Sequence, residues 1–133
     1  MSIRFTPSFL RRLLLVDAAS STLMALLLLG ASDALQSLLG LPGSLLDAAG
    51  MVLLPFALFV GLLSSQAMPW RAGVWVVIVC NALWVIDSLG VLLVGATRPT
   101  AAGTAFVLAQ AAFVGLLAEL QFMALRRAPQ ALA

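Results

Sequence analysis

The fold is decided by the segment AGVWVVIVCNALWVIDSLGVLLVG, residues 72–95, in which apolar residues surround the isolated polar residues Asn81 and Asp87. A helix needs about 20 residues to cross roughly 30 Å of hydrocarbon, so this segment is long enough to span a bilayer. Its many Val, Leu and Ile residues outweigh the insertion cost of one acid, which is about 2.5–3.5 kcal/mol at the helix centre. The segment therefore predicts a membrane-spanning helix.

Three further apolar segments of similar length lie at about 9–30, 45–65 and 102–125. Short stretches with Gly, Pro, Ser and Thr separate the four segments, as is typical of helix ends. The 133-residue chain is 63% hydrophobic and 9% charged, which is too apolar for a soluble domain of this size. We therefore predict a single transmembrane domain, 1–133, with an all-α fold: a bundle of four transmembrane helices.

The stretch 32–41, between the first two spans, is too short to cross a membrane. Ser32 is a candidate N-cap, and Gly40 is placed to end a helix. Three leucines share one face: Leu35, Leu38 and Leu39. Two interpretations remain open, a short amphipathic helix at the outer face of the membrane or an ordered loop.

The first span follows MSIRFTPSFLRR, so a cleaved secretory signal is an alternative, with small residues at 32–34. Its apolar run is longer than a typical signal core and contains Asp17. We therefore expect it to be retained as a helix.

The basic residues predict the orientation, because cytoplasmic loops carry an excess of arginine and lysine. Six of the seven lie on one side of the spans: Arg4, Arg11, Arg12, Arg71, Arg126 and Arg127. The other side has Arg98. We expect a multi-pass protein of the cell inner (cytoplasmic) membrane, with both termini cytoplasmic.

Missing residue types exclude several functions. The chain has no histidine, no lysine and one cysteine, Cys80, which excludes histidine-ligated haem, a lysine Schiff base and an intrachain disulfide. Because no nucleophile–base pair or metal cluster stands out, we expect no enzyme, cofactor or metal. No basic run with interleaved aromatics suggests nucleic acid. The expected partners are the lipid bilayer and, as open possibilities, a second copy or another membrane protein.

Polar residues inside the spans are the candidate site, since they are costly there and often functional. The candidates for binding an ion or ligand are Asp17, Ser20, Ser21, Asn81, Trp84, Asp87, Gln110 and Glu119. Those in the first span follow the helical i, i+3, i+4 spacing, and those in the third fall within an arc of about 120°.

We expect Asp17, Asn81 and Glu119 to face the bundle interior, with Glu119 beside small residues that allow close helix approach. Arginines at the cytoplasmic ends could neutralise both acids by reaching inward. Gln110 and Gln121 are expected on the opposite side of the fourth helix from Glu119.

Asp87 has no arginine near it in the sequence. Burial without a cation favours the neutral form of a carboxyl group. We therefore expect Asp87 to be buried and protonated, bonded to Asn81, Ser88 or Gln110. Such a network would hold the helices together or, alternatively, handle protons or cations.

Five blocks resemble a family of small, uncharacterised bacterial membrane proteins with four predicted spans. They are FTPSFLRRLLLVDAASS, LLGLPGSLLDAAGMVLLPFALFV, NALWV, RPTAAGTAFVLAQA and AELQ. The resemblance covers nearly the whole chain and implies that Asp17, Asn81 and Glu119 belong to a recurring pattern. The small multidrug transporters are similar in size and also have an acid in their first helix, but their surrounding motifs are missing here.

Two functions remain open. One is a proton- or cation-linked transporter or channel subunit for a small solute, in which Asp17, Asp87 and Glu119 bind the ion or a cationic solute. The other is a non-transporting membrane module that binds a lipid-like ligand or a partner membrane protein. A cavity joining the acids would favour transport.

Overall fold

The computed structural model describes residues 7–95 and 97–127, which form five α-helices and, within those ranges, no strand. They are α1 (Pro7–Gly30), α2 (Ser32–Leu39), α3 (Gly43–Ser64), α4 (Arg71–Leu93) and α5 (Ala101–Arg127). All except α2 are long and apolar enough to cross a membrane. Their ends differ from the predicted spans by only one or two residues. The predicted all-α bundle of four apolar helices is confirmed.

The bundle consists of two helix pairs, α1 with α3 and α4 with α5. Successive spans reverse direction, so each pair is antiparallel. The pairs meet mainly where α1 packs against α5, which we call the α1/α5 seam. Along the α3/α4 seam the two helices have few contacts. One seam is therefore closed and the other is open.

Two apolar clusters fill the bundle, one towards each end. The first lies towards the start of α1 and contains Leu10, Leu14, Val60, Val74, Val77 and Leu125, among others. The second lies under α2 and contains Leu28, Leu35, Leu39, Leu46, Leu53 and Val107, among others. The polar residues described below lie between these clusters and along the open seam.

Of the two interpretations of residues 32–41, the short helix is correct. It buries Leu35 and Leu39, while Leu38 is 61% exposed, so only part of the predicted apolar face is packed. Gly40 ends the helix at φ 67°, a left-handed conformation that glycine adopts without strain. The N-cap prediction for Ser32 is wrong, because the preceding residue holds the cap position and no side chain caps the helix.

The end of α2 is attached to the start of α5. The Thr100 N–H donates to the Leu39 carbonyl at 2.9 Å, and the Thr100 hydroxyl donates to the Leu38 carbonyl at 2.8 Å. The same hydroxyl accepts from the Gly103 N–H at 3.0 Å, which caps α5. A Cβ on Gly103 would collide with the Leu39 carbonyl. This close approach therefore requires glycine.

Large apolar side chains cover the outside of the bundle. Examples are Leu23, Leu58, Ile86 and Leu93, each more than 60% exposed. Contiguous apolar surface of this kind marks contact with a membrane or with another protein. The surface thus agrees with the apolar character of the four long helices.

The two helix pairs repeat one pattern of burial. Asp17 in α1 and Asn81 in α4 are both buried and are 64 positions apart. At the same offset, three buried residues of α1 correspond to three of α4: Leu10 to Val74, Leu13 to Val77 and Leu14 to Ile78. The helices α3 and α5 share the sequence FVGLL, at 59–63 and 113–117. Asp17 and Asn81 therefore occupy equivalent positions in two similar halves.

Candidate functional site

Four buried polar side chains meet between the two helix pairs, and we call them the polar cluster. Their centre is the carboxylate of Asp17, which is 2% exposed. Its Oδ2 accepts hydrogen bonds from Asn81 Nδ2 at 2.7 Å and from Gln121 Nε2 at 2.8 Å. Its Oδ1 accepts from the Ser21 hydroxyl at 3.3 Å. Asn81 Nδ2 also donates to Gln121 Oε1 at 3.1 Å, so the two amides bond to each other as well.

Three helices contribute to the polar cluster. Asp17 and Ser21 lie one turn apart on α1, while Asn81 comes from α4 and Gln121 from α5. An ionised carboxylate only accepts hydrogen bonds, and each of its neighbours here is a neutral donor. Among the described residues, no buried polar side-chain atom lacks a partner. The cluster is therefore a closed set of bonds that ties α1 to both helices of the other pair.

Ser20, which the sequence grouped with Asp17, does not join the polar cluster. Its hydroxyl donates to the backbone carbonyl of Asp17 at 3.1 Å, within its own helix. The expected arginines also lie elsewhere. Arg11 Nε donates to the Ser64 carbonyl at 3.2 Å, and Arg12 is exposed. Neutral groups, not an arginine, satisfy Asp17.

Glu119 and Gln121 lie on the opposite sides from those predicted. Glu119 is exposed, whereas Gln121 is completely buried. The small residues beside Glu119 suggested an interior face, but they are not the residues that α5 buries. The buried face carries Leu117, Gln121 and Ala124, whose i, i+4, i+7 spacing is a helical stripe that could have identified Gln121.

Asp87 is exposed, so its predicted burial is wrong. It lies six residues from Asn81, which corresponds to about 120° around a helix. The two side chains therefore lie at opposite edges of the arc that the polar residues of α4 occupy. Only one of them can face the interior of the bundle. Asn81 does so.

Two of the predicted partners of Asp87, Ser88 and Gln110, bond to each other and to Trp84 instead. Trp84 Nε1 donates to Gln110 Oε1 at 2.6 Å, and Gln110 Nε2 donates to Ser88 Oγ at 2.9 Å. The Ser88 hydroxyl donates to the Trp84 carbonyl at 2.7 Å. This second set of bonds joins α4 to α5 within one helix pair.

The open α3/α4 seam contains three adjoining cavities, which together we call the α3/α4 groove. Starting near Thr97, they measure about 470, 270 and 360 Å³. Leu45 and Val91 line both the first and the second cavity. Val52 and Trp84 line both the second and the third. Each cavity therefore adjoins the next along α4.

The walls of the α3/α4 groove are mostly apolar, with polar side chains at two inner levels. Asp87, Ser88 and Gln110 line the second cavity, and Ser21 and Asn81 line the third. Among the described residues that line the three cavities, Asp87 is the only acid and none is an arginine. From the predicted site, the groove thus brings together Asp87, Trp84, Gln110, Ser21 and Asn81, and it leaves out Asp17, Ser20 and Glu119.

No protein-family model, curated protein or solved structure matches this chain significantly. In residues 7–95 and 97–127, no group of three or more His, Cys, Asp or Glu side chains is placed to hold a metal ion. Functional inference therefore rests on the polar cluster and the α3/α4 groove.

Proposed function

We propose that this protein is a non-transporting membrane module that binds an amphipathic, lipid-like molecule in the α3/α4 groove. The observation that carries the proposal is the groove itself, an apolar cleft along a seam where α3 and α4 have few contacts. Binding sites are typically concave and mostly apolar, with a few placed polar groups. An amphipath matches this pattern, because its chain would pack on the apolar walls while its head lies at the level of Asp87.

Binding can be tested in lipid nanodiscs with a single-chain amphipath that carries a diazirine in its chain. We expect photo-crosslinks at groove residues such as Val52 and Trp84. The variant Val91→Trp would fill the groove and lower labelling several-fold. Val79→Trp is the matched control, because Val79 is 51% exposed and does not line the groove. Equal labelling of the two variants, or even labelling of all the long helices, would overturn the proposal.

Transport is the second candidate, and one observation favours it. Asp17 is a buried acid in a helix that can span a membrane, and such residues often mark proton or ion pathways. Against it, none of the three groove cavities is lined by two acids, and Glu119 lies on the outer surface.

Proteoliposomes under a proton gradient distinguish the two candidates. We expect no proton flux above that of empty liposomes. Flux that disappears in Asp17→Asn but persists in Glu119→Gln would establish transport and refute the non-transporting assignment.

We further propose that the protein lies in a bacterial inner membrane with both termini in the cytoplasm. The support is the arginine distribution: Arg11 lies near the start of α1 and Arg71 begins α4, at the same end at which Arg126 and Arg127 finish α5. A fluorescent protein fused at Ala133 should fluoresce, and alkaline phosphatase fused there should be inactive. Active phosphatase would reverse the orientation.

A further inference from the structure

We infer that the ligand of the α3/α4 groove is a single-chain amphipath with a cationic head at Asp87 and a chain that passes Trp84 to reach Cys80. This inference rests on the proposed binding function and specifies the class of molecule and its direction. It follows from the different chemistry of the second and third cavities.

The second cavity selects the charge of the head. Trp84, Ser88 and Gln110 already bond to one another there. Among the described residues, none donates a hydrogen bond to the carboxyl group of Asp87, and no arginine lines the cavity. A carboxylate attracts an ammonium group and repels sulfate, phosphate or another carboxylate. An alkylammonium head therefore fits this level of the groove, and an anionic head does not.

The third cavity receives the chain. Most of its lining is apolar, including Pro55, Phe56 and Phe59 from α3. Its polar side chains, Ser21 and Asn81, already have partners in the polar cluster. A hydrocarbon chain can fill this space without leaving a polar group unpaired.

Trp84 fixes the path between head and chain. It lines both cavities, and its bond to Gln110 holds the indole ring in place. Asp87 and Cys80 are seven residues apart on α4, which is roughly 10 Å along the helix. With C–C bonds of about 1.5 Å, an extended chain advances about 1.25 Å per methylene and needs about eight to cover that distance. Chains much shorter than this should bind the head level without reaching Cys80.

The half-buried thiol of Cys80 is a built-in reporter, because it lines the third cavity and is the chain's one cysteine. We would measure its alkylation rate by N-ethylmaleimide in nanodiscs with dodecyltrimethylammonium. At a free concentration of about four times Kd, the rate should fall about fivefold, because four-fifths of the sites are then occupied. Hexyltrimethylammonium and dodecyl sulfate should leave the rate unchanged. Asp87→Asn should abolish the protection, and Glu119→Gln, which changes an acid outside the groove, should retain it.

A dodecylammonium with a diazirine at the end of its chain gives a readout that does not depend on thiol reactivity. Its crosslinks should fall near Cys80 and on the facing residues of α3. Equal protection by dodecyl sulfate, or crosslinks confined to the level of Asp87, would refute this inference while leaving groove binding intact. If none of the probes labels or protects the groove, the proposed function fails as well.

Discussion

The α1/α5 and α3/α4 seams occupy equivalent positions between two helix pairs that share one pattern of burial, yet only the first is closed. In α1, buried residues extend from Leu10 to Leu28, whereas in α4 they end at Asn81. Beyond Asn81, α4 lines the α3/α4 groove instead of packing against α3. Similar halves have thus produced one sealed seam and one open seam.

The two helix pairs differ in the length of α5 and in the presence of α2. When the FVGLL sequences of α3 and α5 are aligned, Gln121 corresponds to Ala67, which lies after the end of α3. The extra turns of α5 supply Gln121, Ala124 and Leu125, all of them buried. The helix α3 has no equivalent extension, so no counterpart of Gln121 reaches the α3/α4 seam. At the other end of the bundle, where the α3/α4 groove lies, α2 packs against α1, α3 and α5, whereas the described residues between α4 and α5 form no helix.

The largest expected effect comes from breaking the polar cluster at the closed seam. In Asp17→Leu, the amides of Asn81 and Gln121 would lose an acceptor while remaining buried. We expect the free energy of unfolding to fall by about 2–3 kcal/mol, the cost of leaving such donors unsatisfied. Reversible unfolding in mixed micelles titrated with dodecyl sulfate measures this change.

Glu119→Leu is the matched control for that variant, because it removes an exposed acid from a long helix. It should change stability little. If the two leucine variants were equally stable, the polar cluster would not hold the seam closed.

A smaller loss should follow from disturbing α2, which is present in one half of the molecule. In Gly103→Ala, the added methyl group would collide with the Leu39 carbonyl and push α2 away from α5. Such overpacking costs about 1–2 kcal/mol. Gly90→Ala is the control, because no atom lies within 4 Å of the added Cβ position. Equal unfolding free energies for the two variants would show that α2 is not fixed on α5.

Sequence reasoning predicted the four long helices because the length and continuity of an apolar segment are local properties. It also identified Asp17 and Asn81 as interior residues, since each lies on a polar stripe in an apolar helix. It misplaced Glu119, Gln121 and Asp87. When a helix carries several polar residues, its sequence alone does not show which of them face the neighbouring helices. That choice depends on which helices pair, and α1 pairs with α3 across the intervening α2.

The α3/α4 groove could not be predicted from sequence for a related reason. The groove exists because two neighbouring helices do not pack against each other there. The amino-acid types of apolar residues do not differ between an open seam and a closed seam. The repeated FVGLL sequence relates the halves and shows that α5 continues beyond the equivalent end of α3, but the groove lies towards the opposite ends of these helices.

Removing one hydrogen bond within the α4/α5 pair, beside the open seam, should cost less than breaking the polar cluster. Trp84→Phe keeps an aromatic ring but removes the donor to Gln110, so we expect a loss of about 1 kcal/mol. Trp75→Phe is the control, because Trp75 contacts Phe122 edge-to-face, an arrangement that a phenyl ring preserves. A loss in Trp84→Phe as large as that in Asp17→Leu would mean that one bond within a pair stabilises the bundle as much as the polar cluster at the closed seam.

The smallest effect is expected from a longer bond within the same helix pair. Arg71 Nη1 donates to the Leu125 carbonyl at 3.4 Å, which is longer than a strong hydrogen bond. The corresponding bond of the first pair, from Arg11 Nε to the Ser64 carbonyl, is 3.2 Å. Each bond joins the beginning of one helix to the end of its partner.

Because neither bond crosses a seam, Arg71→Gln should lower the unfolding free energy by less than about 0.5 kcal/mol. Apolar packing along the pair would remain unchanged. The double variant Asp17→Leu/Arg71→Gln should show the sum of the two losses, since the sites share no partner. A loss above about 1 kcal/mol in the single variant, or strong non-additivity in the double variant, would mean that contacts within the helix pair limit the free energy of unfolding. The contrast between a closed and an open seam would then not explain the stability of this bundle.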